Sequence, residues 1–214
     1  TTLTGSGTAS STTPWASASP SVATVSSTGV VTGVAAGTSV ITYTDNNGCS
    51  VIETVTVTAL DDATFSYAAS AYCADGTDPT PTVATSGGTF SSTSGLSINT
   101  STGVIDLSAS TAGTYTVTYT TAGTCSNSAS TSVTINALDD ATFSYAASAY
   151  CADGTDPTPT VTTSGGTFSA ASGLSINTST GVIDLSASTA GTYTVTYTTA
   201  GTCPNTATAS ITVN

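Results

Sequence analysis

One thirteen-residue stretch occurs twice without a change, as Gly113-Thr-Tyr-Thr-Val-Thr-Tyr-Thr-Thr-Ala-Gly-Thr-Cys125 and again from Gly191 to Cys203. Tyr115, Val117 and Tyr119 alternate with Thr114, Thr116 and Thr118. That period of two reads as a half-buried strand, with aromatic and β-branched residues inside and hydroxyls outside. Gly123 marks the turn that follows, and Cys125 comes directly after it. A looser version runs from Gly37 to Cys49, and in all three copies the cysteine lies six residues after the last tyrosine (Tyr43, Tyr119, Tyr197). One strand, turn and cysteine used three times predicts three domains of one general kind.

Residues 59–136 and 137–214 are copies of a 78-residue unit that differ at nine positions. A period that long exceeds one solenoid turn and fits a small β-sandwich. Within the unit, residues 64–67, 81–85, 89–91, 96–98, 104–107, 115–120 and 128–135 read as seven strands. Gly87-Gly88, Ser94-Gly95, Ser101-Thr-Gly103 and Ala112-Gly113 punctuate them. The first domain, 1–58, diverges, with strands predicted at 21–26, 30–34, 40–43 and 51–57. Asn46-Asn-Gly48 is a strong hairpin signal before the last of these. Each copy of the unit opens on Ala-Leu-Asp-Asp, only a few residues after the preceding strand and without Gly or Pro. So short a link predicts neighbours held in a near-fixed orientation. The expected architecture is all-β, with tandem antiparallel sandwiches arranged end to end over 1–58, 59–136 and 137–214.

The stretch from Trp15 through Ser19-Pro-Ser-Val-Ala-Thr-Val-Ser-Ser-Thr-Gly-Val-Val-Thr-Gly-Val-Ala-Ala-Gly-Thr38 resembles the bacterial immunoglobulin-like domains of group 2. The resemblance implies an immunoglobulin-like sandwich in an exported surface protein, and no enzyme. The two repeats carry Gly95-Leu-Ser-Ile-Asn-Thr-Ser-Thr-Gly-Val-Ile-Asp-Leu-Ser-Ala-Ser-Thr-Ala-Gly-Thr-Tyr-Thr-Val-Thr-Tyr-Thr120, a cysteine loop and a final Thr-Val-Thr-Ile or Ile-Thr-Val-Asn strand. They are similar to the repeats of the giant gliding-motility adhesins of Bacteroidota, the SprB type.

The residues that are missing narrow the chemistry further. The chain has no Lys, Arg, His, Gln or Met, and its twelve charges are all carboxylates. A uniformly negative chain repels phosphate backbones and anionic lipid, so neither nucleic acid nor membrane insertion of this segment is expected as a partner. No apolar run reaches the eighteen residues of a spanning helix. Without His or Lys, triads, histidine-type zinc sites, Schiff bases and phosphate loops are excluded. A two-carboxylate hydrolase would not need its carboxylates duplicated in both repeats. Isopeptide, ester and thioester crosslinks fall with the absent Lys and Gln, which leaves disulfides as the covalent device.

Cys73 and Cys125 stand 52 residues apart, as do Cys151 and Cys203. An early and a late cysteine in each repeat, with no metal-ligand spacing, predicts one disulfide within each repeat, buried free thiols being the alternative. Aligning the first domain on the repeat puts a partner for Cys49 before Thr1, so Cys49 is expected to be unpaired here and the sequence to begin inside its first domain. Disulfides also imply an extracellular setting. No cofactor is required. With no cation present, Asp61, Asp62, Asp75, Asp78 and their copies Asp139, Asp140, Asp153 and Asp156 either bind Ca²⁺ near a domain junction or serve as turn-formers and solubilising charges. Asn99 and Asn177 match a glycosylation sequon of a kind frequent by chance in Ser/Thr-rich chains.

The expected function is a structural stalk or filament segment of a repetitive, secreted cell-surface adhesin, used in gliding or attachment. Its partners would be further immunoglobulin-like repeats of a longer chain, and surface polysaccharide or other cells. The alternatives are a carbohydrate-binding module, with Tyr67, Tyr72, Tyr145 or Tyr150 stacking on sugar rings, and a surface-layer or sheath subunit.

Overall fold

A computed structural model describes all residues, 1–214. The chain is all-β, with twenty-one strands and no helix. It divides into two compact units, one of 1–64, 83–88 and 120–129, the other of 65–82, 89–119 and 130–214.

In the first unit, Gly37–Thr44 lies between Trp15–Ser17 and Ser50–Val57 in an antiparallel sheet, and Ala23–Val25 pairs with Val31–Gly33. Val40-Ile-Thr-Tyr43 alternates as the sequence requires, and Ile41 joins Ala23 and Val31 in a small core. Trp15 and Tyr43 stack beside it with ring centroids 4.8 Å apart. The Asn-Gly hairpin closes differently from the turn in which both residues take positive φ. Only Gly48 does so (φ 81°), and the Asp45 carboxylate holds the loop by accepting from the amides of Asn47 and Cys49, each at 2.9 Å.

The second unit contains all of the second repeat. Its main sheet runs Ala149–Tyr150, Thr206–Val213, Gly191–Thr198, Thr167–Ala170. The first repeat has the same order, Ala71–Cys73, Ser128–Asn136, Gly113–Thr120, Thr89–Ser92. Short ladders of Phe143–Ser144 with Thr160–Val161 and Ser175–Ile176 with Ile183–Asp184 complete the second repeat. The repeated stretch delivers the core. Val195 and Tyr197 point inward with Ile183, Leu185 and Ile211, while the intervening threonines face out and pair across strands, as Thr192 does with Thr212 at 3.0 Å. Tyr197 stacks at 4.5 Å on Phe168, which Phe143 meets edge-on at 5.5 Å. Burying three such rings contributes several kcal/mol per repeat.

Two features hold the late strand in place. The Tyr193 hydroxyl donates to the Thr189 carbonyl at 2.8 Å, and the Tyr115 hydroxyl does the same to Thr111 at 2.7 Å. This back-bond at the start of a late strand is the tyrosine corner of immunoglobulin-like sandwiches. At Gly181 (φ 72°) an added Cβ would lie 2.6 Å from Pro159 and 2.7 Å from Phe168, so the turn requires glycine twice over.

One strand per repeat departs from the antiparallel expectation. Ala149–Tyr150 and Ala71–Cys73 pair in parallel with the last strand of their repeats. Sequence reading missed both, because period-two alternation cannot register in two or three residues.

Candidate functional site at the repeat junction

The parallel strand explains where the early cysteine lies. Cys73 is in register with Asn136, and the Ala74 amide donates to the Asn136 carbonyl at 3.1 Å. Cys73 therefore sits at the trailing end of its repeat, next to the last residue before Ala137.

The late cysteine occupies the opposite end. Cys203 lies in the loop between Gly191–Thr198 and Thr206–Val213, whose mouth is the pair Thr198 and Thr206. Thr199 closes that loop by accepting the Asn205 amide at 2.8 Å. The opening residues of the repeat hold its tip. The Asp139 amide donates to the Cys203 carbonyl at 2.9 Å, the Asp139 carboxylate accepts the Gly201 amide at 2.9 Å, and the Asn205 side chain donates to the Asp139 carbonyl at 3.2 Å. Cys203 is thereby fixed at the leading end of the second repeat.

Asn136 and Asp139 are only three residues apart in sequence, so the two cysteines meet. Cys73 and Cys203 form a disulfide with a Cα separation of 5.5 Å, spanning 130 residues and joining the first repeat to the second. Cys203 is buried within the joint at 1% exposure. Cys49, Cys125 and Cys151 are unbonded.

This corrects the expected pairs Cys73–Cys125 and Cys151–Cys203. In the second repeat, Cys151 follows Tyr150, which pairs with Val213, whereas Cys203 lies beyond the Thr198–Thr206 end of the same ladder. An eight-residue strand separates them, about 25 Å at the strand rise. A disulfide tolerates about 7 Å between Cα atoms. Equal spacing in sequence showed that the cysteines belong to a repeating pattern. It could not show that Cys151 and Cys203 occupy opposite ends of the second repeat.

The structure disperses the aspartates considered for calcium, and no group of three carboxylates or cysteines converges where an ion would sit. Most act as local ties. Asp62 and Asp140 accept the amides of Thr64 and Thr142, and Asp78 and Asp156 accept those of Leu107 and Leu185 across 29 residues. Asp75 and Asp153 are exposed beside the early cysteine. Asp61, partly buried, donates its amide to the Cys125 carbonyl at 2.9 Å, as Asp139 does to Cys203. Hydrogen bonds from Thr64 and Thr142 hold the Asp62 and Asp140 carboxyls below the usual carboxylate range, and those from Ser108 and Ser186 do the same for Asp106 and Asp184.

The tyrosines considered for sugar stacking are committed to the fold. The Tyr67 hydroxyl donates to Gly103 at 2.6 Å and that of Tyr145 to Gly181 at 2.5 Å. Burial, with a smaller contribution from the neighbouring Tyr72 or Tyr150, pushes both phenols up to about 12. Tyr72 and Tyr150 accept the Ala69 and Ala147 amides at 2.9 and 2.8 Å. All four rings are half-buried. Asn99 and Asn177 are exposed, and their side-chain oxygens close the turns before Gly103 and Gly181.

Comparison with known proteins gives a family match for the start of the chain. Residues 1–57 match the model of the bacterial Ig-like domain (group 2), in keeping with the immunoglobulin-like all-β fold. No curated protein matches the chain. Similar solved structures include mouse cadherin-23 EC22–24, at 16% identity and TM-score 0.33, with 94% of this chain and 85% of that one covered. Human cadherin-23 EC21–23 gives 17%, 0.34, 92% and 82%, and three repeats of a mouse clustered protocadherin give 15%, 0.33, 94% and 88%. Superpositions this loose assign no shared function.

Proposed function

We propose that this chain is a load-bearing spacer of a repetitive, secreted cell-surface adhesin of the kind found on gliding Bacteroidota. Residues 1–58, 59–136 and 137–214 serve as successive domains that carry a binding tip away from the cell. The observation that carries this reading is the Cys73–Cys203 bond, which ties one repeat to the next rather than bracing either alone. A tie of that kind serves a function in which domains transmit tension and hold a fixed succession. Near-identity of the repeats fits a part whose length matters more than any single site. The match of residues 1–57 to bacterial Ig-like domains supports an exported setting. No helix is long and apolar enough to cross a membrane. The absence of Lys and Arg also leaves trypsin-like proteases no cleavage site.

Electron microscopy of the source cells with an antibody raised against one 78-residue repeat tests this reading. Label along thin fibres leaving the surface is the expected result. A continuous coat would indicate a layer subunit instead, and label confined to the medium would overturn the adhesin assignment.

A further inference from the structure

The Cys73–Cys203 joint uses two half-sites, and each repeat contains both. At the trailing end of the second repeat, Cys151 is framed as Cys73 is. The Gly154 amide donates to the Cys151 carbonyl at 2.9 Å and Gly76 to Cys73 at 3.0 Å, while Ala152 donates to Asn214 at 3.0 Å as Ala74 does to Asn136. At the leading end of the first repeat, Cys125 keeps two of the three ties of Cys203, the Asp61 amide on the Cys125 carbonyl at 2.9 Å and the Asn127 side chain on the Asp61 carbonyl at 3.2 Å. The Asp61 Oδ2, in the place of the Asp139 oxygen that accepts Gly201, is buried without a hydrogen-bond partner. The local fold thus prepares both halves whether or not a bond forms.

What differs is exposure. Cys151 and Ala152 are exposed where Cys73 and Ala74 are half-covered. Cys125 is partly exposed where Cys203 is buried. Leu60 is 67% exposed where its copy Leu138 is half-buried. At the trailing end Cys151 has the same neighbouring sequence and backbone hydrogen bonds as Cys73, so the bonded neighbour accounts for the cover there, whereas at the leading end Ser126 stands where the second repeat has Pro204.

We infer that Cys151 is the bonding position for a further copy of the 78-residue repeat joined in tandem after Asn214. Such a copy opens on Ala-Leu-Asp-Asp, and its third residue holds its late cysteine at the leading end, as Asp139 holds Cys203. The late cysteine of the added copy then bonds Cys151, and each early cysteine in an array bonds the late cysteine of the next domain. By the same rule Cys49, in the loop between Gly37–Thr44 and Ser50–Val57, is a leading-end half-site for the early cysteine of a preceding domain. Bond formation removes two protons and two electrons from two thiols. Oxidised glutathione accepts them by exchange through a mixed disulfide and leaves as two glutathione thiols. Loops closed in this way overlap along an array, residues 151–203 lying inside both the Cys73–Cys203 loop and the next one.

The test is the full chain extended by one copy of residues 137–214 and refolded in a glutathione redox buffer. Free thiols are then alkylated in denaturant without reduction, and a peptic digest is mapped by mass spectrometry. The expected map keeps Cys73–Cys203, joins Cys151 to the late cysteine of the added copy, and leaves Cys49, Cys125 and the added early cysteine alkylated. In the same extended chain Cys151→Ser should free the added late cysteine and leave Cys73–Cys203 in place, which also reports that the chain has folded. Alkylated Cys151 beside an intact Cys73–Cys203 bond would overturn the inference, as would Cys151 bonded to Cys203.

Discussion

The turn at Gly181 shows how a single atom decides stability. Its φ of 72° and the closeness of Pro159 and Phe168 add two separate costs to a Cβ. The left-handed backbone costs about 1–2 kcal/mol and the overpacking about 1–3 kcal/mol more. Gly165 has φ 88° but open space around it, so Gly165→Ala should incur the first cost alone. Thermal denaturation should rank Gly181→Ala well below Gly165→Ala, and equal losses would refute the packing term. Tyr193→Phe removes both hydroxyl bonds to Thr189 and should cost about 1–2 kcal/mol with the ring still packed. Tyr67 and Tyr145 give a pH signature. The fold favours the neutral phenol, so their folded values near 12 exceed the unfolded value of about 10. Their contribution is fully present below pH 10 and is lost as pH rises toward 12. Absorbance at 295 nm should show Tyr67 and Tyr145 titrating late, together with a Tm that falls above pH 10. A single transition near 10 for every phenol would contradict it. Asp62, Asp78, Asp139, Asp140 and Asp156 accept backbone amides, so excess calcium over chelator should leave Tm unmoved, and a clear rise would show the aspartates acting as ligands.

At the scale of elements, legibility followed length. The strands Gly113–Thr120 and Gly191–Thr198 were readable because three inward side chains, Tyr, Val and Tyr, alternate with threonines, which predicts both the strand and the buried face. The strand Ala149–Tyr150 was not, since its identity depends on parallel pairing with Thr212 and Val213 more than sixty residues away. That brief pairing fixes the early cysteine at the trailing end, so the element that could not be read is the one that decides the covalent topology. Asp45 gives a second instance. Asn-Gly signalled the hairpin correctly, but the carboxylate two residues upstream ties the loop, which the dipeptide alone does not convey.

For the whole molecule, the repeat period and the all-β class followed from the sequence, whereas the direction of the staples needed the third dimension. A bond spanning 130 residues contributes about 5 kcal/mol in the chain-entropy model, a large part of what a small sandwich has to spare. Cys73→Ser should therefore lower Tm substantially and match Cys203→Ser, while Cys151→Ser should leave it unchanged. Force spectroscopy on the chain held by its two ends, before and after reduction, addresses the covalent path most directly. Oxidised, the Cys73–Cys203 bond hides a single loop of 130 residues, about 450 Å of extended chain, and reduction should release it as one gain in contour length. Two separate gains of about 180 Å, the length of the 52-residue loops that bonds within each repeat would close, would contradict a staple that runs from one repeat to the next.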